Sequence, residues 1–161
     1  MPNQKDEDEL WMQLALALAN SAATHDEVPV GAIIVKDGNI ISSGFNQKEK
    51  MHLVTKHAEI IAIERANIRL KNWRLNDCKL YVTLEPCLMC AGAIYQARIT
   101  ETIYGAKDPK AGAFGSLYAI DKDSRLNHQV KIRSGILAEQ CSQTLINFFQ
   151  QRRKKINNSK C

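Results

Sequence analysis

The sequence predicts a three-layer α/β/α protein with a mixed five-stranded sheet as its middle layer. Short β-branched segments alternate along the chain with longer segments whose apolar residues recur at helical spacing. Strands that alternate with helices place helices on both faces of a sheet. No repeat or linker divides the chain, and its 161 residues, 45% hydrophobic and 24% charged, suit one globular domain with its own core.

The chain is predicted to open with a helix. Asp6 and Glu9 form the pair of residues that starts a helix as a capping box. Leu10, Leu14 and Leu18 then recur at helical spacing and predict the face that packs on the sheet. Three further residues widen this stripe: Trp11, Ala15 and Ala22.

A hairpin is predicted next. Residues 28–35 are short, apolar and β-branched, Asp37-Gly38 is a two-residue turn signal, and residues 40–45 return as the partner strand. Residues 46–56 are polar and predict a loop.

The alternation continues through the middle of the chain. Isoleucines and alanines predict a largely buried helix over residues 57–68, and a second Ala-rich helix is predicted over residues 87–97. The remaining strands are expected at residues 80–84, 102–106 and 130–133.

The C-terminal part is predicted to hold a loop, a helix and a tail. Glycines and lysines over residues 107–115 predict an exposed loop. The last ten residues hold five basic residues and no acid, so they carry the whole formal net charge of +5. We therefore expect one domain over residues 1–153 and a basic tail over residues 154–161, which is either a solvated end or a handle for a nucleic-acid backbone. An amphipathic helix leading into this tail is predicted from four residues: Leu137, Cys141, Leu145 and Phe148.

The composition excludes two classes of protein. The longest apolar stretch is far short of the roughly 20 residues of a membrane span, and the acidic, polar start does not resemble a secretory signal. Five cysteines are an odd number, and two of them form a Cys-x-x-Cys pair. This usage favours a reduced, cytoplasmic protein with a metal or redox site over a disulfide framework.

The sharpest motif is a His-x-Glu at residues 57–59 followed by a Pro-Cys-x-x-Cys at residues 86–90. It supplies three zinc-type ligands, His57, Cys87 and Cys90, with the Glu59 carboxylate beside them. No fourth ligand is evident, and a catalytic zinc site keeps one position for water. We expect Glu59 to be catalytic, because it lies near enough to a ligand to exchange protons with that water. Four other potential ligands are isolated in the sequence, the cysteine among them lying before a predicted strand: His25, His52, Cys78 and His128.

Two other interpretations of this motif remain open. The metal could only stabilise the fold, with Glu59 as an acid at the start of a helix. Alternatively, Cys87 and Cys90 could form a redox pair, which leaves His57 and Glu59 unexplained.

Local geometry supports a single site. Cys87 and Cys90 share one face of a first helical turn, where the positive end of the helix dipole stabilises thiolates. Pro86 suits the position just before such a start, and His57 also opens a predicted helix. Two strand-to-helix junctions therefore meet at one end of the sheet, where open α/β sheets bind their ligands. Such a set suits hydrolytic displacement of an amine at an amidine-like carbon.

These residues match the zinc-deaminase signature H-x-E…P-C-x-x-C. Over about residues 10–153 the chain resembles the bacterial tRNA-specific adenosine deaminases, which belong to the superfamily of zinc-dependent cytidine and deoxycytidylate deaminases. The matching segments are EVPVGA at 27–32, HAEI at 57–60, TLEPCLMCAGA at 83–93 and GAKD at 105–108, with Gly112 and Gly115-Ser116.

The resemblance implies a cytidine-deaminase-like fold, a homodimer, and conversion of adenosine to inosine at the wobble position of a tRNA anticodon stem-loop. It implies one Zn²⁺ per subunit, held by His57, Cys87 and Cys90. Water activated by the zinc would attack C6 of the adenine, and Glu59 would transfer protons until ammonia leaves. Backbone N–H groups at and near Leu88 would position the nucleophile.

The resemblance also implies residues that bind the substrate. Val28, Pro29 and Leu84 would form pocket walls, although core packing explains them equally well. Asn46 would contact the base or ribose, whereas the sequence alone favours a turn residue at the end of a strand. Asp108 would accept a hydrogen bond from the ribose 2′-OH of the nucleotide flanking the target.

RNA specificity is expected on the 107–116 loop and the last helix. Lys107 and Arg153 would supply positive charge there, and Phe148 or Phe149 could stack on a base. A plain surface loop, and burial of both phenylalanines, are the alternatives.

The chain departs from the family pattern between residues 46 and 56. Gln47-Lys48 stands where an arginine and then a proline are frequent, and Leu53-Val54-Thr55-Lys56 replaces an Asp-Pro-Thr-Ala-like run. Lys56 therefore brings a charge beside the site, which we expect to face a phosphate.

Two alternative functions share the zinc motif. A guanine or cytosine/nucleoside deaminase would need neither the basic tail nor the 107–116 loop. A non-catalytic, zinc-stabilised RNA-binding module would keep both and release no ammonia.

Overall fold

A mixed sheet of five strands forms the middle layer of the protein, whose computed structural model describes residues 2–160. The strands are β1 (Gly31–Lys36), β2 (Asn39–Phe45), β3 (Cys78–Leu84), β4 (Glu101–Ala106) and β5 (Lys131–Ser134). They lie in the order β2-β1-β3-β4-β5. β1 is antiparallel to β2 and β3, whereas β3, β4 and β5 are parallel. The mixed, five-stranded sheet is as predicted.

Helices cover both faces of this sheet, so the three-layer prediction is confirmed. Ala62 of α3 and Ile94 of α4 pack into one core, while Met12 of α1 and Cys141 of α5 pack into the other. The helices are α1 (Gln4–Thr24), α2 (Lys48–Met51), α3 (Ala58–Leu70), α4 (Leu88–Gln96) and α5 (Ala138–Asn158), with a 3₁₀ turn at Ile120–Lys122.

The start of α1 differs from the prediction. Asn3 caps the helix, and its side-chain oxygen accepts the backbone N–H of Asp6 at 3.0 Å. Asp6 therefore lies within the first turn and is not the cap. The prediction that Asp6 and Glu9 form the capping box was therefore wrong. The helix starts three residues earlier, because Asn3 satisfies the unpaired N–H groups of the first turn.

The buried face of α1 also differs from the predicted leucine stripe. Leu10 is 50% exposed and Leu14 39% exposed. The helix lies very close to β1, since a Cβ atom on Gly31 would stand 2.0 Å from the Ala15 carbonyl oxygen. Small side chains permit this approach and large ones do not. The residues that α1 buries are Asp8, Met12, Ala15, Ala19 and Ala22.

The remaining differences are local. The polar loop at 46–56 contains the short helix α2, and Cys78 is the first residue of β3 instead of preceding it. Residues 112–114 are buried, so the prediction of an exposed loop over 107–115 was wrong in its second half. The cause is a buried carboxylate that holds this segment inward, as described below.

A buried ionic network joins the two ends of the domain. Asp8 of α1 accepts hydrogen bonds from the Tyr81 hydroxyl at 2.8 Å and from the Arg133 guanidinium, which also donates to Glu101. Burial alone raises the pKa of the Asp8 carboxyl, but the bonds from Arg133 and Tyr81 outweigh it and lower that pKa below its ordinary value. Asp8 is therefore held as a carboxylate.

The last helix extends further than expected. α5 runs through Asn158, so residues 154–158 of the expected tail are helical and exposed. Met1 and Cys161, the outer limits of the expected domain and tail, lie outside the described residues. Among residues 2–160, no helix combines the length and apolar character that crossing a bilayer requires.

Candidate active site

Two helix starts bring the three expected metal ligands together. His57 caps α3 and Cys87 caps α4, and neither side chain is spent on a capping hydrogen bond. Cys90 lies one turn into α4 and is buried. The His57 Nδ1 atom lies 3.6 Å from the Cys87 Sγ atom and 3.5 Å from the Cys90 Sγ atom.

These distances fit a zinc ion. Zinc binds imidazole nitrogen at about 2.0–2.1 Å and thiolate sulfur at about 2.3 Å, so a tetrahedral site separates N from S by about 3.6 Å. All three donor atoms lie within 4.8 Å of one another. Within residues 2–160 they are the only such group of three histidine, cysteine or carboxylate side chains.

The donors form a strongly coupled acid–base cluster. A hydrogen bond from the Cys90 thiol to the Cys87 sulfur lowers the pKa of Cys87 to about 4, and the same bond raises the pKa of Cys90. The bond to Cys87 also raises the pKa of His57 above its ordinary value. Cys87 is thus predisposed to be a thiolate at neutral pH, the form in which cysteine binds metal.

Glu59 lies beside these ligands in the first turn of α3 and is 4% exposed. Burial raises the pKa of its carboxyl, and the charge of His57 opposes that rise. A carboxyl group with a raised pKa can both accept and return a proton near neutral pH. This is the property expected of a general acid–base residue and not of a solvent-exposed acid at a helix start.

A cavity of about 180 Å³ opens onto this cluster. It is smaller than the roughly 300–1,000 Å³ of pockets for drug-sized ligands, which suits a single flipped-out base. Its lining consists of Val28, Val30, Asn46, Lys48, His57, Ala58, Glu59, Leu84, Glu85, Cys87, Asp108 and Ala111.

Four of the substrate-binding residues expected from the sequence line this cavity: Val28, Asn46, Leu84 and Asp108. The Asn46 side chain also makes turn contacts, because its amide donates to the Val28 carbonyl at 3.3 Å and its oxygen accepts the Lys48 N–H at 3.2 Å. The two interpretations of Asn46 are therefore compatible.

Five other expected residues lie outside the cavity lining. Leu88 begins α4 and its side chain is 52% exposed. Lys107 and Arg153 are exposed. Pro29 is buried and does not line the cavity, whereas its neighbour Val30 does. Phe149 is 41% exposed and packs edge-to-face on Phe148 at 5.4 Å.

The structure replaces Lys56 with Lys48 as the basic residue facing the site. Lys56 Nζ pairs with Glu64 Oε2 at 2.6 Å, which satisfies its charge on the surface of α3. Lys48 lines the cavity instead. The sequence marks Lys48 as a departure from the family pattern. Its place at the cavity could not be predicted, because it depends on the short helix α2, which Lys48 begins.

The isolated histidines and Cys78 take no part in the site. His25 and His52 are exposed, and a His128 ring nitrogen lies 2.7 Å from the Ile99 carbonyl oxygen. Cys78 is buried at the start of β3. None of the four supplies a fourth ligand to the cluster, as expected.

A second, more polar groove of about 460 Å³ lies between the end of α1 and α5. Two of its walls are basic, Arg152 and Lys155, and the Arg152 guanidinium lies over the Phe148 ring at 5.5 Å. Its edge at Asp26 is two residues from Val28 of the metal-site cavity. The two depressions are therefore connected by a short stretch of chain, residues 26–28.

Residues 5–106 match the family model of the cytidine and deoxycytidylate deaminase zinc-binding region. The match covers more than half of the chain and contains the whole His57, Glu59, Cys87 and Cys90 set.

The chain is also similar to curated tRNA-specific adenosine deaminases. The protein from Streptococcus pyogenes serotype M18 is 46% identical over 159 residues, which cover 99% of this chain and 100% of the relative. The protein from Haemophilus influenzae is 48% identical over 92% of this chain and 86% of the relative. The Bacillus subtilis protein is 43% identical over 92% of both.

Solved structures give the same picture. One from a study of A-to-I editing by tRNA:A34 deaminases at the wobble position of transfer RNA has a TM-score of 0.82 and 43% identity, over 84% of this chain and 99% of that one. A guanine deaminase from Nitrosomonas europaea has a TM-score of 0.74 at 22% identity, over 87% of this chain and 83% of that one. The second likeness shows the fold alone.

Proposed function

We propose, from the fact that this chain belongs to the zinc-binding family of cytidine and deoxycytidylate deaminases, that it is a tRNA-specific adenosine deaminase. It converts the wobble adenosine of a tRNA anticodon to inosine by hydrolysis and releases ammonia. The observation that carries the proposal is the buried Glu59 carboxyl beside three convergent zinc ligands, at the floor of a cavity for one base. Near full-length relatives with this activity support the choice of substrate.

The residues around the cavity divide the chemistry between them. His57, Cys87 and Cys90 would hold one zinc ion, which would supply Lewis-acid activation of water by lowering its pKa from 15.7 to about 7. Glu59 accepts a proton from the attacking water and delivers it to N1 of the adenine as water adds at C6. Glu59 then takes the second proton of the water from the hydroxyl group on C6 and transfers it to the 6-amino group, which leaves as ammonia.

The cavity walls fix the orientation of the base. Val28 and Leu84 supply apolar surface on which a flipped base stacks. Asn46 is held at the cavity by its two backbone contacts, so its remaining amide hydrogen can contact the base or ribose. The backbone N–H of Leu88, at the start of α4, is proposed to orient the water.

An inosine assay tests this function directly. Incubation with an anticodon stem-loop should yield inosine, while free adenosine, cytidine and guanine remain unchanged. Deamination of a free base or nucleoside with the stem-loop untouched would support a guanine or cytosine deaminase instead. Stem-loop binding with zinc bound and no ammonia released would support a non-catalytic RNA-binding module.

Lys48 is expected to contact a phosphate next to the target adenosine. Its position is fixed, because its own N–H donates to Asn46 and the two following N–H groups donate to the buried Glu27 carboxylate at 2.8 and 2.9 Å. We predict that Lys48→Gln raises KM for the stem-loop about threefold to tenfold. The slope of log KM against log salt should become shallower by about 0.7, the value for one phosphate contact on a single strand.

Lys50→Gln is the matched control for this prediction. Lys50 lies on the same short helix and its N–H is also held by Glu27, but it does not line the cavity. Equal salt slopes for Lys48→Gln and the wild type would contradict the phosphate contact.

We propose that RNA continues from the cavity onto the groove between α1 and α5. Arg152 and Lys155 line that groove, Lys107 and Arg153 are exposed, and Phe149 is exposed enough to stack on a base. Of these residues, Arg152, Arg153 and Lys155 flank the boundary between the proposed 1–153 domain and the proposed 154–161 tail.

Deleting residues 154–161 is predicted to weaken stem-loop binding and leave zinc content unchanged. The deletion removes three lysines, so the salt slope of binding should become shallower by up to about two. Stability should change little, because the ion pair between Lys155 and Asp26 at 3.4 Å, which the deletion removes, is exposed on both sides. Fluorescence anisotropy against salt measures the effect, and an unchanged Kd would mean that the tail is a solvated end.

We also propose a homodimer. Three apolar side chains beside the site are each about half exposed, Leu88, Leu117 and Tyr118. They lie together for two reasons. Cys87, which precedes Leu88, forms an isolated β-bridge with Gly112, and the Gly112 carbonyl accepts the N–H groups of Leu117 and Tyr118. A second copy of the chain would cover this surface. Light scattering should give twice the 18.1 kDa mass of one chain, and a single-chain mass would refute it.

The cytoplasm is the proposed location, because the proposed substrate is a tRNA. The four cysteines among the described residues are free thiols, as is usual in a reducing compartment.

A further inference from the structure

Glu85 is a buried carboxylate that the proposed chemistry does not use. It follows β3 directly, lies two residues before the ligand Cys87 and is 2% exposed. Burying a carboxylate is costly unless hydrogen bonds satisfy both of its oxygens. The partners of Glu85 therefore indicate what it does.

All the partners come from one segment, residues 108–116. Oε1 accepts the Asp108 N–H at 3.1 Å and the Ser116 hydroxyl. Oε2 accepts the Phe114 N–H at 3.0 Å and the Ser116 N–H at 3.2 Å. One side chain thus holds both ends of the 108–116 segment.

The segment is wrapped closely around this carboxylate. A Cβ atom on Gly112 would lie 2.2 Å from Glu85 Oε2, so a residue with a side chain would displace the carboxylate. Gly112 also forms an isolated backbone β-bridge with Cys87, and the Ala113 N–H donates to the Pro86 carbonyl at 2.9 Å. The 108–116 segment is therefore fixed to the same stretch of chain that carries a metal ligand.

This attachment places substrate-facing residues. Asp108 and Ala111, both on the 108–116 segment, line the cavity. The Asp108 carboxylate is further oriented because its Oδ1 atom accepts the N–H groups of Lys110 at 3.1 Å and Ala111 at 3.3 Å. The position of the Asp108 carboxylate relative to the metal site thus depends on Glu85.

We infer that Glu85 is a positioning residue for RNA recognition: it holds the 108–116 segment so that Asp108 meets the ribose of the nucleotide flanking the target adenosine. The inference rests on the proposed function, in which Asp108 makes that contact. Glu85 also lines the cavity, but both of its carboxylate oxygens are occupied by hydrogen bonds from the 108–116 segment.

Glu85→Gln tests the inference, because glutamine replaces one of the two carboxylate oxygens by an NH₂ group. That group is a donor and cannot accept the N–H groups of the 108–116 segment. A contact to a flanking nucleotide is made equally in the ground and transition states, so its loss raises KM and spares kcat. We expect KM for the stem-loop to rise about tenfold with kcat within about threefold, and zinc to stay at one per chain. A fall in kcat at unchanged KM would overturn the inference.

A double-mutant cycle with Asp108→Ala separates positioning from a general structural effect. If Glu85 acts through Asp108, Glu85→Gln should raise KM by less than about twofold in the Asp108→Ala background. Equal effects in both backgrounds would show that Glu85 acts elsewhere. Glu27→Gln is the control, because Glu27 is equally buried but accepts N–H groups of the short helix α2. Its effect on KM should add to that of Asp108→Ala.

Hydrogen exchange supplies a readout that does not depend on activity. The amides of Asp108, Phe114 and Ser116 should exchange faster in Glu85→Gln, while those of α3 keep their protection. Unchanged exchange at the three amides would overturn the inference, even if the wild type made no inosine and the proposed function failed. If Glu85→Gln does not fold, Ser116→Ala removes one hydroxyl bond to Glu85 and should shift KM and exchange in the same direction by less.

Discussion

Replacing Glu59 by alanine is expected to lower kcat about 10²- to 10⁴-fold, the range that proton transfer by a positioned side chain contributes. Glu59 is the buried carboxyl beside the metal ligands in the cavity, so its loss removes the group proposed to carry protons from water to the base. Zinc should remain at one per chain, because His57, Cys87 and Cys90 form the ligand set without it. Single-turnover inosine formation and metal analysis of the same sample measure both quantities.

Two variants make this result specific. Glu59→Gln keeps the size of the side chain and should lose as much activity as the alanine variant, because an amide cannot transfer the proton. Glu64→Ala is the matched control, since Glu64 lies on the same helix but pairs with Lys56 at the surface. Loss of zinc from Glu59→Ala would identify Glu59 as a ligand, and retained activity would exclude it from proton transfer.

Cys90→Ala is expected to abolish both zinc binding and turnover. Cys90 is buried in the first turn of α4, and two ligands cannot hold the ion as three do. Without zinc the attacking water keeps a pKa near 15.7, so inosine formation should fall to background. Stripping zinc from the wild type with a chelator should give the same loss, and added zinc should restore only the wild type.

Stability should fall together with the metal. Ligand at 1,000 times its Kd stabilises a folded protein by about 4 kcal/mol, which corresponds to about 8–16 °C in Tm for a domain of this size. Cys141→Ala is the control, because Cys141 is equally buried on α5 but lies in the other core, so zinc should stay at one per chain. Full zinc content in Cys90→Ala would contradict the proposed ligand set.

Acidification should weaken zinc binding. The bond to Cys87 raises the pKa of His57, so protons compete more strongly with zinc for its imidazole. Zinc affinity therefore decreases as the pH falls and protons compete for these donors.

The sequence was sufficient for the alternation of elements and for the metal ligands. Periodicity located all five strands to within a few residues, since β-branched runs and turn signals act locally. His57, Cys87 and Cys90 could be found because ligand type and spacing are themselves the signal. Neither conclusion needed information about distant contacts.

The errors arose where distant contacts decide. Ala15 and Ala22 of the predicted stripe are buried as expected, but the close approach of α1 to Gly31 leaves Leu10 and Leu14 largely exposed. Lys56 stands beside His57 in the chain, yet Glu64 captures its charge and Lys48 faces the cavity. The glycine-rich segment after β4 was expected outside because nothing local reveals that Glu85 holds it.

The bond between Asp8 and Arg133 has a consequence for how the protein is made. The two residues are 125 positions apart, and the carboxylate of Asp8 is enclosed by the fold. During synthesis, α1, the hairpin and the metal ligands leave the ribosome well before Arg133 does. Until then, completing the core would enclose an unpaired negative charge, at a cost of several kcal/mol. We therefore expect the domain to reach its full stability only after β5, which carries Arg133, has been synthesised.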